Sequence, residues 1–457
     1  MVAATSQLAG LVRANAVRLP PLTDASFASF FNSLDLGAHK VVLLGDGSHG
    51  TSEFYSARAE ITKHLIQHHG FTIVAAEADW PDAEAVDRYV RRRPGLQSEL
   101  SKEDKPFKRF PTWMWRNAEM QNLVHWMRDW NDGVQEPRQR AGFYGLDLYS
   151  LDRSLEAVLK YLQGVDPEQA KVAKQRYGCI KPFAEHPERY GLAALKGKFK
   201  NCEDEVVKVC RDLLRKRLEY STWKEDGEEF HSAEQNARLV EDAIEYYKAQ
   251  YRGGAKSWNL RDQHMFDTLQ RILVFKKAKL LGTGIEPKAV VWAHNSHLGD
   301  ARYTEMGRSH GEFNIGQLCR EHFGSAVFSL GCLSHTGTVA AAYAWGDDME
   351  VMPVNPSLFN SYERVLHDTG LPSFVLDLRA GKIDAALREA LMRERIERFI
   401  GVIYRRDTEL WSHYAEAVLP KQFDAVVWFD TSQAVNALET RQPHTEKYYE
   451  ETYPFGL

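Results

Sequence analysis

Nowhere does this chain run to about 18 uninterrupted apolar residues, so the sequence offers no membrane-spanning helix. Its start includes Leu8, Leu11 and Val12, but Arg13, Asn15 and Arg18 interrupt them before a secretion-signal core could form. Cysteine is scarce: Cys179, Cys202, Cys210, Cys319 and Cys332 are odd in number, widely spaced and without a C-x-x-C pair. That pattern suits five free, buried thiols in a reducing compartment and points to the cytoplasm. A patch of single-signed charge is missing too. The net charge is only −5 and Lys and Arg are scattered, which argues against a nucleic-acid partner and leaves a small molecule as the expected ligand. No internal repeat or low-complexity tract stands out.

What remains is an ordinary globular composition, 457 residues with 44% hydrophobic, enough for a large core and two or three structural units. Short runs rich in Val, Ile, Leu and Phe, bounded by Gly, Asp or Asn, read as buried strands of a parallel sheet. They are Lys40–Leu44, Phe71–Ala76, Gly142–Leu146, Ala289–Ala293, Ala326–Leu330, Phe374–Leu376, Phe399–Tyr404 and Ala425–Phe429. Helical periodicity separates the early ones, as in Phe54, Ala57, Ile61 and Leu65, or Leu123, Trp126, Met127 and Trp130. Strand alternating with helix predicts an α/β fold, a central mostly parallel sheet flanked by helices. From about Ser150 to Leu281 only helical patterns occur, punctuated by Lys224–Glu229, a charge run expected to be a solvated turn. The expected organisation is an N-terminal α/β part (1–149), a helical insertion forming an arm or lid (150–284), and a C-terminal α/β part completing the sheet (285–457).

Open α/β sheets bind ligands outside the carboxyl ends of their strands, and here those ends are polar. The first supplies Asp46, Ser48 and His49, the second Glu77 and Asp79, the third Asp147, and the fourth His294 and His297. Singly, such residues cap helices or satisfy cores, but four successive strand ends bearing ionisable groups suit acid–base chemistry. Gly47 and Gly50 bracket Ser48 and His49, so a sharp turn is expected to carry the imidazole into a cleft. Arg58 falls near the stripe of Phe54, Ile61 and Leu65, where an unpaired guanidinium is costly. It should be buried against a carboxylate, with Glu77 the expected partner and Asp46 or a substrate group the alternatives.

These residues resemble the erythromycin esterase-like family. Leu44–Phe54 looks like its first motif, Glu77 after an apolar strand like the second, and Ala293–His297 like the third. The resemblance continues through Arg109–Asn117, Gly145–Tyr149, Asn259–Asp262, Leu298–Ala301, Ser412–Tyr414 and Gln422–Ala425, and so covers nearly the whole chain. It implies a carboxylic ester or lactone hydrolase in which His49 is general base for water. Asp46, Arg58, Glu77, His294 and His297 take the other essential positions. Glu77 or Asp46 would orient the imidazole, and Arg58 with His294 or His297 would offset charge on the carbonyl oxygen. Arg116 and Asp147 are further substrate-binding or electrostatic candidates. The family often has Glu where this chain has Asp46, a shorter carboxylate that bears on substrate fit. The Arg109–Asn117 segment looks more like the uncharacterised branch than the macrolide-resistance esterases.

Three other readings use the same residues. Asp46-Gly47-Ser48-His49-Gly50 departs from a G-x-S-x-G nucleophile elbow only at its first position, which would make Ser48 a nucleophile. Asp46, His49, Glu77, His294 and His297 could instead ligate a divalent metal such as Zn or Mn, whereas the first reading needs no cofactor. A non-catalytic protein binding a ligand such as haem is the third.

Overall fold

The computed structural model describes residues 2–93, 106–184, 186–195, 202–221 and 227–442. Its strands are β1 (Val17–Arg18), β2 (Val41–Asp46), β3 (Ile73–Asp79), β4 (Gly142–Asp147), β5 (Ala289–His294), β6 (Val327–Ala341), β7 (Glu350–Val354), β8 (Ser373–Asp377), β9 (Arg395–Arg398), β10 (Tyr414–Ala417) and β11 (Ala425–Ser432). Nine of them form one sheet in the order β1-β8-β11-β6-β2-β5-β3-β4, with β7 paired to the end of β6. From β11 to β4 every pairing is parallel, while β8 and β1 join antiparallel at one edge. The α/β architecture read from the sequence is therefore the observed one.

The apolar runs become strands buried on both faces because helices cover both faces. Val42, Leu44, Val74 and Trp292 point into one core, filled by Phe54 and Leu65 of the Ser52–His69 helix and Leu123 and Met127 of the Ala118–Gly133 helix. Val41, Leu43, Ala75 and Val291 point the other way, against Phe230 and Val240 of the Glu228–Gln250 helix and Met265 and Leu269 of the Lys256–Lys279 helix. The helical stretch after Ser150 thus forms one of the sheet's covering layers and shares its core, rather than standing off as an arm. Among the described residues no helix is long and apolar enough to cross a membrane.

Several expectations need correction. Phe399–Tyr404 is not a strand: β9 ends at Arg398, and the following backbone spends its hydrogen bonds on two loops, Ile400 with Gly47 and His49, and Val402 and Tyr404 with Ala342. Of the charge run, Lys224–Asp226 lies outside the described residues. Glu228 is no solvated turn residue, because it is buried against Arg91 at 2.9 Å. Cys179 and Cys202 are bridged rather than free, leaving Cys210, Cys319 and Cys332 as buried thiols. A disulfide removes one of the supports for a reducing compartment.

The glycines around His49 also act differently from expectation. Neither Gly47 nor Gly50 has left-handed backbone. Gly50 is needed for close approach, since a Cβ there would lie 1.9 Å from the Ala340 carbonyl oxygen of β6. Gly50→Ala is expected to cost about 1–3 kcal/mol in urea unfolding, because rigid backbone must give way. An unchanged midpoint would show that the β6 contact does not fix the His49 loop.

Candidate active site

Four parallel strands, β2, β3, β4 and β5, deliver the polar cluster to one rim of the sheet, as neighbouring parallel strands must. Asp46 ends β2 and His49 lies in the loop beyond it, whose backbone is pinned by His49 N–H to the Ile400 carbonyl and Ile400 N–H to the Gly47 carbonyl. Glu77 owes its direction to a bulge: β3 pairs Ala76 with Gly145 and then Asp79 with Asp147, so three residues advance against two. Such a bulge re-aims the side chains within it. Gly145 accommodates it, because a Cβ there would meet the Ala78 and Asp79 carbonyls at 2.4 and 2.6 Å.

His49 stands between two carboxylates. Its Nδ1 is in ion-pair contact with Asp46 Oδ1 at 3.3 Å, and its Nε2 lies 4.0 Å from Glu77 Oε1. Asp46 Oδ2 in turn meets Arg58 Nη2 at 2.6 Å, a charge contact off the hydrogen-bond axis. Burial pushes the Asp46 carboxyl up, but Arg58 and His49 outweigh it and hold the net displacement downward. The Arg58 guanidinium is 1% exposed, with the Tyr55 and Trp292 rings 4.7 and 4.5 Å from it. It is buried and paired as expected. Its partner, however, is Asp46 and not Glu77, its Nε donates to the Phe54 carbonyl at 3.3 Å, and it lies outside the cleft lining. Asp46 also lies behind His49 rather than in the cleft lining. The shorter carboxylate therefore touches His49 and Arg58 and does not line the cleft.

The cation that meets Glu77 is Arg261, which lines the cleft at 3% exposure. Its Nη2 donates to Glu77 Oε1 at 2.5 Å and Asp147 Oδ2 at 2.7 Å, and its Nε donates to Asp147 Oδ1 at 3.0 Å. The Glu77 Oε2 atom accepts the His294 backbone N–H at 2.9 Å. Burial alone would raise Glu77, but His297, Arg261 and His49 together hold it well below the usual carboxylate range.

The other two histidines differ in charge state. Ser296 N–H donates to His294 Nδ1, which leaves the ring proton on Nε2, and burial with the neighbouring His49 pushes the pKa down to about 3. His294 is neutral, its ring centroid 4.8 Å from that of His49. His297 stacks on Trp258 at 4.4 Å, with Nδ1 2.9 Å from both Asp262 oxygens and Nε2 3.4 Å from Glu77 Oε1. Burial works against its charge, but Asp262 and Glu77 raise it to about 9. Burial raises Asp262 as well, yet the proton stays on His297, which has a carboxylate at each ring nitrogen. Arg261 Nη1 lies 3.1 Å from His297 Nε2, a contact that would suit a neutral ring. Surrounding Glu77, Asp147 and Asp262 nevertheless favour two cations side by side.

The cleft in front is partly open to solvent. Its lining includes a floor of His49, Glu77, Asp147 and Arg261, with Asp79, Asp82 and Arg109 also lining it, and aromatic walls that include Phe107, Phe110, Trp115 and Trp345. Phe107 has a left-handed backbone, φ 60°, as do only two other non-glycine residues among those described, Asp35 and Arg92, both at helix C-termini. For a bulky residue outside a helix cap this costs on the order of 1–2 kcal/mol.

The rim thus gathers Asp46, His49, Arg58, Glu77, Asp147, His294 and His297 of the sequence candidates. Arg116 is not among them: it pairs with Glu439 and lies outside the cleft lining. Ser48 bonds Thr51 through its hydroxyl and also lies outside the lining. The sequence reading missed Arg261, Asp262, Trp258 and the aromatic walls as site residues. The signal for Arg261 was present, since Trp258, Arg261, Met265, Leu269 and Ile272 repeat at three and four residues, and an arginine on an apolar stripe needs a buried anion.

Comparison with known proteins bears on the family and the fold. The family model described as Erythromycin esterase matches residues 66–432. A putative hydrolase, YbfO of Bacillus subtilis (strain 168), is 20% identical over 86% of this chain and 84% of its own length. Erythromycin esterase type II of Escherichia coli is 21% identical over 67% of this chain and 72% of its own. In fold, a Bacillus cereus protein of known structure matches with TM-score 0.77 at 19% identity, over 95% of this chain and 99% of that one. A mutant of the erythromycin esterase EreC in its open conformation matches with TM-score 0.59 at 14% identity, over 94% and 99%. With the family's pattern running through most of its length, the chain belongs to the erythromycin esterase family.

Proposed function

We propose that this hydrolase cleaves a carboxylic ester or lactone, with His49 as general base for the attacking water. One observation carries the reading: of the three clustered histidines only His49 lines the cleft, with Nδ1 against Asp46 and Nε2 toward Glu77. An ionised Asp46 orients the ring and stabilises it once protonated, while Arg58 fixes Asp46 from behind. A water between His49 Nε2 and Glu77 would be held by both at the cleft floor. Arg261, the cation on that floor, supplies the positive potential that a developing oxyanion needs. His294, neutral and behind His49, supports the ring without competing for its proton.

We read the site as free of metal. Its carboxylates already carry Arg58, Arg261 and a charged His297, positive charge that would oppose a divalent ion. Among the described residues no three His, Cys, Asp or Glu side chains are set to hold one. The Ser48 reading lacks support, since a nucleophilic hydroxyl needs an adjacent base and Ser48 meets Thr51 instead.

His49→Ala is expected to lower kcat/KM for esters by about 10²–10⁴-fold, and chelator dialysis should leave the parent's turnover intact. Steady-state assays across carboxylic esters and lactones decide this; activity confined to phosphoesters, or lost with chelator and restored by Zn²⁺ or Mn²⁺, would overturn it. Arg58→Lys should not rescue function, because an ammonium cannot reproduce a planar group packed on two rings. Losing the partner of a buried carboxylate should cost about 3–5 kcal/mol in Arg58→Met, read by denaturant unfolding. Near-parental turnover by folded Arg58→Lys would remove Arg58 from the machinery.

The His297 charge gives a pH signature. Its pKa is raised from 6.5 to about 9, so its stabilisation is complete below 6.5 and is lost as pH rises through about 9. Urea midpoints should fall over that window in the parent, and His297→Gln should flatten the decline. An equal decline in both proteins would place the titrating group elsewhere.

A further inference from the structure

The cleft walls carry an inference about substrate class that rests on the esterase reading. Phe107 adopts a backbone conformation that phenylalanine avoids, and it is not at a helix end. It is kept there by its N–H donating to Asp82 Oδ1 at 2.7 Å, and Asp82 is itself buried and paired with Arg153. The result is a phenyl ring 6.1 Å from Trp115, inclined by 36°, on one wall of the cleft. Phe110 and Trp345, from distant parts of the chain, form an edge-to-face pair at 4.7 Å on the same lining. A core needing only bulk could be filled without a strained residue, so an observed outlier at a cleft wall points to ligand contact. Aromatic rings bind flat apolar groups by stacking and edge contacts, and offer little to hydroxyl-rich ones.

We infer that Phe107, Trp115, Phe110 and Trp345 form a specificity clamp for esters bearing a flat aromatic group on the acyl or alcohol side. The carbonyl is then presented to the His49 and Arg261 floor while the ring lies between the walls.

The full-length protein would be assayed on methyl 2-naphthoate, 2-naphthyl acetate and methyl acetate, and titrated with 2-naphthamide by quenching of its tryptophan fluorescence. At least one naphthyl ester should exceed methyl acetate in kcat/KM by about 100-fold after each is divided by its own hydroxide-hydrolysis rate, which removes the advantage of naphtholate over methoxide as a leaving group. Phe107→Gly, which relieves the backbone but removes a buried ring, should melt lower than the parent while still unfolding cooperatively, and should reduce that ratio and weaken 2-naphthamide binding, each about tenfold. Trp345→Ala, on the other pair, should do the same and guards against misfolding of the first variant. Equal kcat/KM for naphthyl and methyl esters on that scale, or 2-naphthamide binding unchanged in both folded variants, would overturn the clamp. If no ester is hydrolysed, the esterase reading fails, while the 2-naphthamide titrations still decide the clamp.

Discussion

The Arg261 guanidinium spans the rim of the sheet: it forks onto Asp147 at the end of β4, reaches Glu77 in the β3 bulge, and touches His297 beyond β5. Without it, two carboxylates from adjacent strands would face each other in a buried, low-dielectric space. Removing one partner from such a set leaves an uncompensated charge. Because the planar fork fixes direction as well as charge, it also sets where Glu77 stands relative to His49. The helix that carries Arg261 is the last of the long helical stretch, so that layer is tied to the site electrostatically as well as through the core.

A second cation divides the work. Arg58, packed between Tyr55 and Trp292, serves Asp46 and hence the far side of the His49 ring. Each ring nitrogen of His49 therefore faces a carboxylate held ionised by neighbouring cations, Arg58 for Asp46 and His297 with Arg261 for Glu77. His297, with a carboxylate at each ring nitrogen, adds a third positive charge behind Glu77. His294, which lacks such flanking, stays neutral. Identical side chains three residues apart thus differ in charge because burial acts on both but only one has anions on both sides.

Much of this was legible in the sequence. Most apolar runs gave the parallel strands, since full burial on both faces leaves no alternation to misread, although Phe374–Leu376 lies in β8, which pairs antiparallel; the ionisable residues after the parallel strands followed from the rule for strand carboxyl ends. Phe399–Tyr404 failed that test because an apolar run of strand length satisfies its backbone equally well by bridging two loops. Arg116 failed because a motif residue next to the cleft can turn away to an ion pair of its own with Glu439. The pairing of Cys179 with Cys202 was invisible because it depends on how helices of the insertion pack.

By itself the sequence determined which residue types reach the rim: strand ends fix the depth at which Asp46, Glu77, Asp147 and His294 appear, and periodicity fixes that Arg58 and Arg261 turn inward. Only the tertiary structure decided who pairs with whom. Arg58 chose Asp46 and Arg261 chose Glu77 through the order of strands in the sheet, a bulge of one residue in β3, and the seat of a helix more than a hundred residues away. Pairing depends on distances of a few ångströms between segments remote in the chain, whereas burial and exposure are set by the local alternation of apolar and polar residues.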